Sequence, residues 1–75
     1  MPELYYFHIG HPHHGLSVDD EGTEFATERE ASVYGAQVAK DIGEDDFDYK
    51  DSHVYVVDAR GKEIARHRIV RQLQN

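Results

Sequence analysis

The chain has no cysteine and no long apolar run. Its 75 residues form one small domain by length, and without cysteine both a disulfide framework and a thiolate metal site are excluded. No apolar stretch approaches the roughly 20 residues that a transmembrane helix requires. The first residues also lack the basic and apolar regions of a signal peptide. From these absences we expect a soluble, cytoplasmic protein that does not associate with membranes.

Basic residues are scarce before residue 60. Residues 1–59 contain 14 of the 15 acidic residues and three of the eight basic ones, a net charge of −11. Residues 60–75 contain five basic residues and one acidic residue, a net charge of +4. The total of −7 argues against non-specific binding to nucleic acid or anionic lipid. The basic C-terminal segment is either a docking surface or an edge strand that its charges protect from pairing.

The spacing of apolar residues predicts one helix between two groups of strands. The helix is expected over about residues 28–42, with Thr27 as its N-cap and Gly43 just beyond its last turn. Gly35 lies among the apolar residues that recur along one face of this helix, the apolar stripe. This position predicts that the helix approaches a sheet closely at Gly35. Strands are expected at about 4–9, 16–18 or 23–25, 53–58 and 63–70. This order, β-β-α-β-β, predicts an α+β two-layer sandwich: an antiparallel sheet of three or four strands with one helix on one face.

A single helix leaves the second face of such a sheet uncovered. Strand alternation turns Tyr5, Phe7 and Ile9 toward the helix, and the intervening side chains outward. The predicted interaction face carries Tyr6, Tyr55, Arg66 and Arg68, mixed with Leu4, His8 and Ile64. We expect homodimerisation through this face or through an edge strand. The remaining histidines, His53 and His67, are expected to meet across the terminal hairpin.

Four of the six histidines lie within seven positions. They are His8, His11, His13 and His14. Convergent imidazoles bind zinc, nickel or copper, so these four side chains are candidate metal ligands. However, Gly10 and Gly15 loosen the loop, and ordering it costs about 1–2 kcal/mol per residue. The segment is therefore a metal site, a polar loop, or a patch that responds to pH.

Catalysis is not expected from this sequence. It has no glycine-rich phosphate loop and no serine in a recognisable nucleophile context, and a domain of this size rarely forms a deep pocket. The favoured function is a small interaction or assembly module whose partner is another protein or a second copy. The first alternative is metal binding by the histidine loop. The second is single-stranded nucleic-acid binding, in which Tyr6 and Tyr55 stack on bases while Arg66 and Arg68 contact phosphates.

Several short motifs resemble those of a family of short bacterial proteins of unknown function. The matching segments are Met1-Pro2, Tyr5-Tyr6-Phe7-His8, Asp20-Glu21-Gly22-Thr23-Glu24-Phe25, the helix from Glu28, and Val56-Val57-Asp58-Ala59-Arg60-Gly61. The resemblance implies a small α+β fold in the bacterial cytoplasm, and it implies no particular activity. Among the loop histidines only His8 belongs to the shared pattern, so a metal site there would be particular to this protein.

A zinc titration of metal-stripped protein, followed by amide NMR at neutral pH, tests the histidine hypothesis. A metal site predicts saturable shifts confined to the residues around His8, His11, His13 and His14. Uniformly weak shifts would contradict the site and leave the segment a polar loop.

Overall fold

The computed structural model describes residues 2–11, 15–45 and 51–70. Within these ranges the chain forms an open, antiparallel five-stranded sheet with one helix packed on it, which confirms the predicted α+β class. The elements are β1 (Glu3–His11), β2 (Gly15–Ser17), β3 (Thr23–Phe25), α1 (Glu28–Asp45), β4 (His53–Asp58) and β5 (Glu63–Arg68). The strand order is β2-β1-β4-β5, and β3 also pairs with β1.

The sheet has more strands than the three or four that we expected, because both short candidates form. β2 pairs with the end of β1, where Ile9 lies opposite Ser17. β3 pairs with its start, where Tyr5 lies opposite Thr23. A nine-residue β1 is long enough to hold both three-residue strands on one edge. The sequence predicted a strand at 16–18 or at 23–25, because neither segment shows whether the other one is also paired with β1.

The core lies between α1 and the inner face of the sheet. Its fully or nearly fully buried apolar side chains are Tyr5, Ala31, Ala39, Val54, Val56 and Ile69. Phe7 and Ile9 pack against this core, so the predicted inward face of β1 is confirmed. Each buried aliphatic side chain of this kind contributes about 1.5–3 kcal/mol relative to an exposed one.

A bulge in the terminal hairpin corrects the predicted position of Ile64. Val56 pairs with Ala65, but the next residue, Val57, pairs with Glu63, so Ile64 is the extra residue. A bulge interrupts the alternation of side chains by one residue. Ile64 therefore packs against the core instead of joining the outer face. Glu63 takes the outward position opposite Val57.

His53 and His67 do not meet across the hairpin as predicted. His53 lies opposite Arg68, whereas His67 lies opposite Val54. A shift of one residue places side chains on opposite faces of a sheet. His53 consequently faces outward, and His67 points toward α1, where its Nε2 lies 3.3 Å from the Ser32 hydroxyl.

The helix begins where the sequence placed it and ends later. The Glu30 amide donates to the Thr27 hydroxyl over 3.1 Å, which is the predicted N-cap. The C-terminal prediction was wrong, because α1 continues through Gly43 to Asp45. Gly43 is buried, and a Cβ there would collide with the carbonyl oxygen of Val70. In the described ranges no helix is both long and apolar enough to cross a membrane.

Gly35 lets the helix approach the sheet, as its place on the apolar stripe predicted. A Cβ at this position would lie 2.5 Å from Val56 Cγ2 and 3.1 Å from His67 Cδ2. Val56 is fully buried and branched at Cβ, so it has little freedom to move aside. The close contact of α1 with β4 and β5 therefore depends on a residue without a side chain.

Replacing Gly35 with Ala should destabilise the protein despite the higher helix propensity of Ala. Propensity favours Ala by about 1 kcal/mol, but overpacking costs about 1–3 kcal/mol, so we expect a net loss. Urea denaturation measures the change. The control is Ala36→Gly at the exposed neighbouring position, which reports propensity without packing. A stabilised Gly35→Ala protein would show that α1 does not approach β4 this closely.

Candidate interaction face

Among the residues that the structure describes, no element covers the side of the sheet opposite α1, which we call the open face. It is formed by the outward side chains of β1, β4 and β5: Tyr6, His8, His53, Tyr55, Val57, Glu63, Arg66 and Arg68. A groove of about 580 Å³ runs over it. Its lining also includes Gly10, His11, Leu16 and Asp51. The four residues predicted for this face from sequence, Tyr6, Tyr55, Arg66 and Arg68, all belong to it.

Tyr55 is held in place at the centre of this face. The guanidinium carbon of Arg66 lies 4.9 Å from the centroid of the Tyr55 ring, a cation–π contact. On the β1 side the ring lies over Gly10, where a Cβ would be only 2.6 Å from Tyr55 Cε2. Gly10 therefore has a structural role that its place beside the histidine loop did not indicate. The ring is fixed before any partner binds.

Both arginines of the open face are paired with carboxylates of the same chain. Arg66 Nη2 lies 3.2 Å from Glu63 Oε1, and Arg68 Nη2 lies 2.6 Å from Asp51 Oδ1. The hydrogen bond that Arg66 donates to the Glu63 carboxylate, reinforced by the negative charge of Glu63, raises the pKa of Arg66 above its ordinary value. Between 42% and 61% of each of these side chains is exposed, so such pairs contribute little to stability and exchange partners readily.

Asp19 closes a gap in the edge of the sheet, a role that sequence analysis missed. The amide of Phe7 faces the part of the β1 edge that lies between β2 and β3, and it donates to Asp19 Oδ2 over 3.2 Å. Asp19 Oδ1 accepts from the amides of Glu21 and Gly22 at 3.1 and 3.2 Å. Burial opposes ionisation of this carboxyl, but the three amide hydrogen bonds outweigh it and lower the pKa of Asp19.

The same loop fixes the protonation of His8. The Asp19 amide donates to His8 Nδ1 over 3.0 Å, so the neutral ring carries its proton on Nε2. Metal binding through Nδ1 would require breaking this bond, and binding of the neutral ring through Nε2 would move the proton to Nδ1, which breaks the same bond. His8 is therefore a poor ligand in this arrangement, although its position at the end of an aromatic strand suggested otherwise.

The metal hypothesis consequently depends on the rest of the histidine loop. His11 lies at the end of β1 and lines the groove, whereas His13 and His14 lie outside the described residues. Among residues 2–11, 15–45 and 51–70, no three histidine or carboxylate side chains are grouped in a way that could hold a metal ion. Zinc, nickel or copper binding stays a prediction from the sequence.

The fold and its surface define a small α+β domain with an aromatic and charged sheet face left uncovered. The chain belongs to the family described as a domain of unknown function (DUF6894), whose model matches residues 4–70. The resemblance to an uncharacterised family is thereby confirmed. No curated protein and no solved structure matches the chain.

Replacing Asp19 with Asn should destabilise the protein by about 1–3 kcal/mol, because the amide group cannot accept from both sets of backbone donors. Since the folded-state pKa of Asp19 is lowered, its contribution is complete above the unfolded-state pKa of about 3.9 and is lost as pH falls through the folded value. The difference between wild type and Asp19→Asn in urea denaturation should therefore shrink below about pH 4.

The exposed neighbour Asp20 provides the control, as Asp20→Asn should change stability by less than about 0.5 kcal/mol. Equal losses for the two variants, or a loss that stays constant down to acidic pH, would contradict the role assigned to Asp19.

Proposed function

We propose that this domain is a small, non-enzymatic interaction and assembly module of the cytoplasm that associates with copies of itself. The observation that carries the proposal is the incompletely covered sheet. A helix covers one face, while the open face and the outer edges of β2, β3 and β5 have no covering element among the described residues. For so short a chain, association is the available way to bury such surfaces.

The chemistry of the open face supports binding to protein. Tyrosine and arginine are enriched among the residues that contribute most to protein interfaces. Here Tyr55 is already fixed by Arg66 and Gly10, so less conformational entropy is lost when a partner docks. The groove beside it is open to solvent and lined by both apolar and charged residues, as the surfaces that bind proteins are.

The nucleic-acid alternative has less support from the geometry. A base could stack on the outward ring face of Tyr55 only after displacing Arg66, which lies above that ring. Arg68 is similarly engaged with Asp51. The net charge of −7 opposes phosphate binding as well. If this alternative held, binding to a single-stranded oligonucleotide would fall steeply with salt and would be lost in an Arg66→Ala/Arg68→Ala variant.

Sedimentation velocity of untagged protein, from about 10 µM to about 1 mM, tests the proposed self-association in the range of weak interfaces. We expect the average mass to rise with concentration in the presence of a chelator. The variant His11→Ala/His13→Ala/His14→Ala should associate as wild type does. A protein that stays monomeric throughout would contradict the proposal, and association that requires added zinc would favour the metal alternative.

A further inference from the structure

The two edges of the sheet carry opposite charge. The edge formed by β2, β3 and the loop between them bears the exposed side chains of Asp20, Glu21 and Glu24, and no Lys or Arg occurs from residue 15 to 28. The other edge, β5, bears Arg66 and Arg68 and one exposed acid, Glu63. The hairpin that leads into β5 adds two more cations, Arg60 and Lys62. The chain is thus acidic at one end of its strand order and basic at the other.

Charge on an edge strand normally prevents pairing with another copy of the same edge. Two β5 strands side by side would place Arg66 and Arg68 close to the same arginines of the second copy. Two β2/β3 edges would bring together Asp20, Glu21 and Glu24 from both copies. Like charges directly opposite one another destabilise strand pairs. Each edge is therefore protected against itself but complementary to the other.

The strand directions also allow the opposite edges to pair. All neighbouring strands are antiparallel, so three reversals separate β2 from β5 and these two strands run in opposite directions. β3, which like β2 is antiparallel to β1, shares the direction of β2. A second copy displaced along the sheet, with its helix on the same side, presents β2 and β3 antiparallel to β5 of the first. The sheet can continue across the junction with ordinary strand spacing.

Glu24, Arg66 and Arg68 lie on one face of the sheet. Arg66 is at the level of the acidic loop, whereas Arg68 is level with Gly10 and, across β1, with Leu16. Glu24 lies opposite Leu4, which alternates with the buried Tyr5, so Glu24 shares the outward face with Arg66 and Arg68. Arg66 lies level with Tyr55 and, through it, with His8. His8 accepts from the amide of Asp19, at the start of the acidic loop. Without any shift along the strands, Arg66 would face the acidic loop of the next copy.

We propose that copies of this chain associate head to tail, with the β5 edge of one against the β2/β3 edge of the next. This inference rests on the self-association proposed above and specifies its surfaces. The pairs Arg66–Glu63 and Arg68–Asp51 are about half exposed, so these arginines exchange partners at little cost. Because the displacement keeps every helix on one side, the open faces of successive copies lie side by side. Such an interface does not close on itself, unlike a symmetric dimer.

Two charge-reversal variants test the arrangement by sedimentation velocity. Arg66→Glu/Arg68→Glu makes both edges acidic, and Asp20→Lys/Glu24→Lys replaces two of the three exposed acids of the β2/β3 edge with cations. Each variant alone should be monomeric at concentrations where wild type associates, and an equimolar mixture should recover association. Wild-type association should also weaken at least about tenfold between about 50 and about 300 mM salt, as the charges are screened.

The control has the same change in total charge as Arg66→Glu/Arg68→Glu, but the change is on the helix surface. Arg29→Glu/Lys40→Glu replaces two exposed cations of α1, and this variant should associate as wild type does. Circular dichroism verifies that every variant is folded. If a reversal variant is unfolded, the milder pair Arg66→Gln/Arg68→Gln and Asp20→Asn/Glu24→Gln replaces it. Each of these copies retains one charged edge, so their mixture should stop at a one-to-one dimer.

The outcomes separate the two proposals. Recovery in the mixture, with the helix control unchanged, supports head-to-tail pairing. Folded reversal variants that associate as wild type does would overturn it and leave self-association intact through another surface. A mixture that stays monomeric would overturn it as well. A monomeric wild-type protein would overturn both proposals.

Discussion

The close approach of α1 to the sheet is the constraint on which the other features of the domain depend. It occurs at two helical glycines, Gly35 against Val56 and Gly43 against the backbone of Val70. These contacts hold the helix over β4 and β5, where Val54 and Val56 of β4 and Ile69, just after β5, are buried. Since 18 residues of helix cover only this side, the opposite face of the same strands stays accessible. The open face, to which we assign binding, is thus accessible because the helix packs on the other side of the sheet.

The loop around Asp19 fills the gap that β2 and β3 leave between them along the edge of β1. Two short strands flank a gap in which the Phe7 amide would otherwise lack a partner, and an unpaired amide at a partly buried position is costly. The carboxylate of Asp19 accepts from the Phe7 amide in this gap, and the amide of Asp19 donates to His8. The acidic loop is therefore held against the sheet, at the level of Arg66 on the far edge. The loop that fills the gap in the β1 edge thus also carries the acidic side chains of this edge.

The charge pattern becomes meaningful only when it is combined with strand order. Along the chain, the acidic and basic segments suggest only an uneven distribution. In the sheet they occupy opposite edges whose strands run in opposite directions. The charges prevent two copies of the same edge from pairing, and they favour pairing of the acidic edge with the basic edge. The open face shares Arg66 and Arg68 with the β5 edge, but the part of it around Tyr55 stays accessible in such an assembly.

Local patterns in the sequence determined the elements that depend on neighbouring residues. Thr27 capped the helix, the apolar face of β1 followed from alternation, and Gly61 adopts a positive φ of 88° in the turn of the terminal hairpin. The open face with Tyr6, Tyr55, Arg66 and Arg68 could be predicted in the same way. Tertiary structure alone decided the pairing of both β2 and β3 with β1, the bulge that turns Ile64 inward, the opposite faces of His53 and His67, and the bonds of Asp19. Each of these depends on register or contact between segments distant in sequence, and periodicity within one segment carries no information about them.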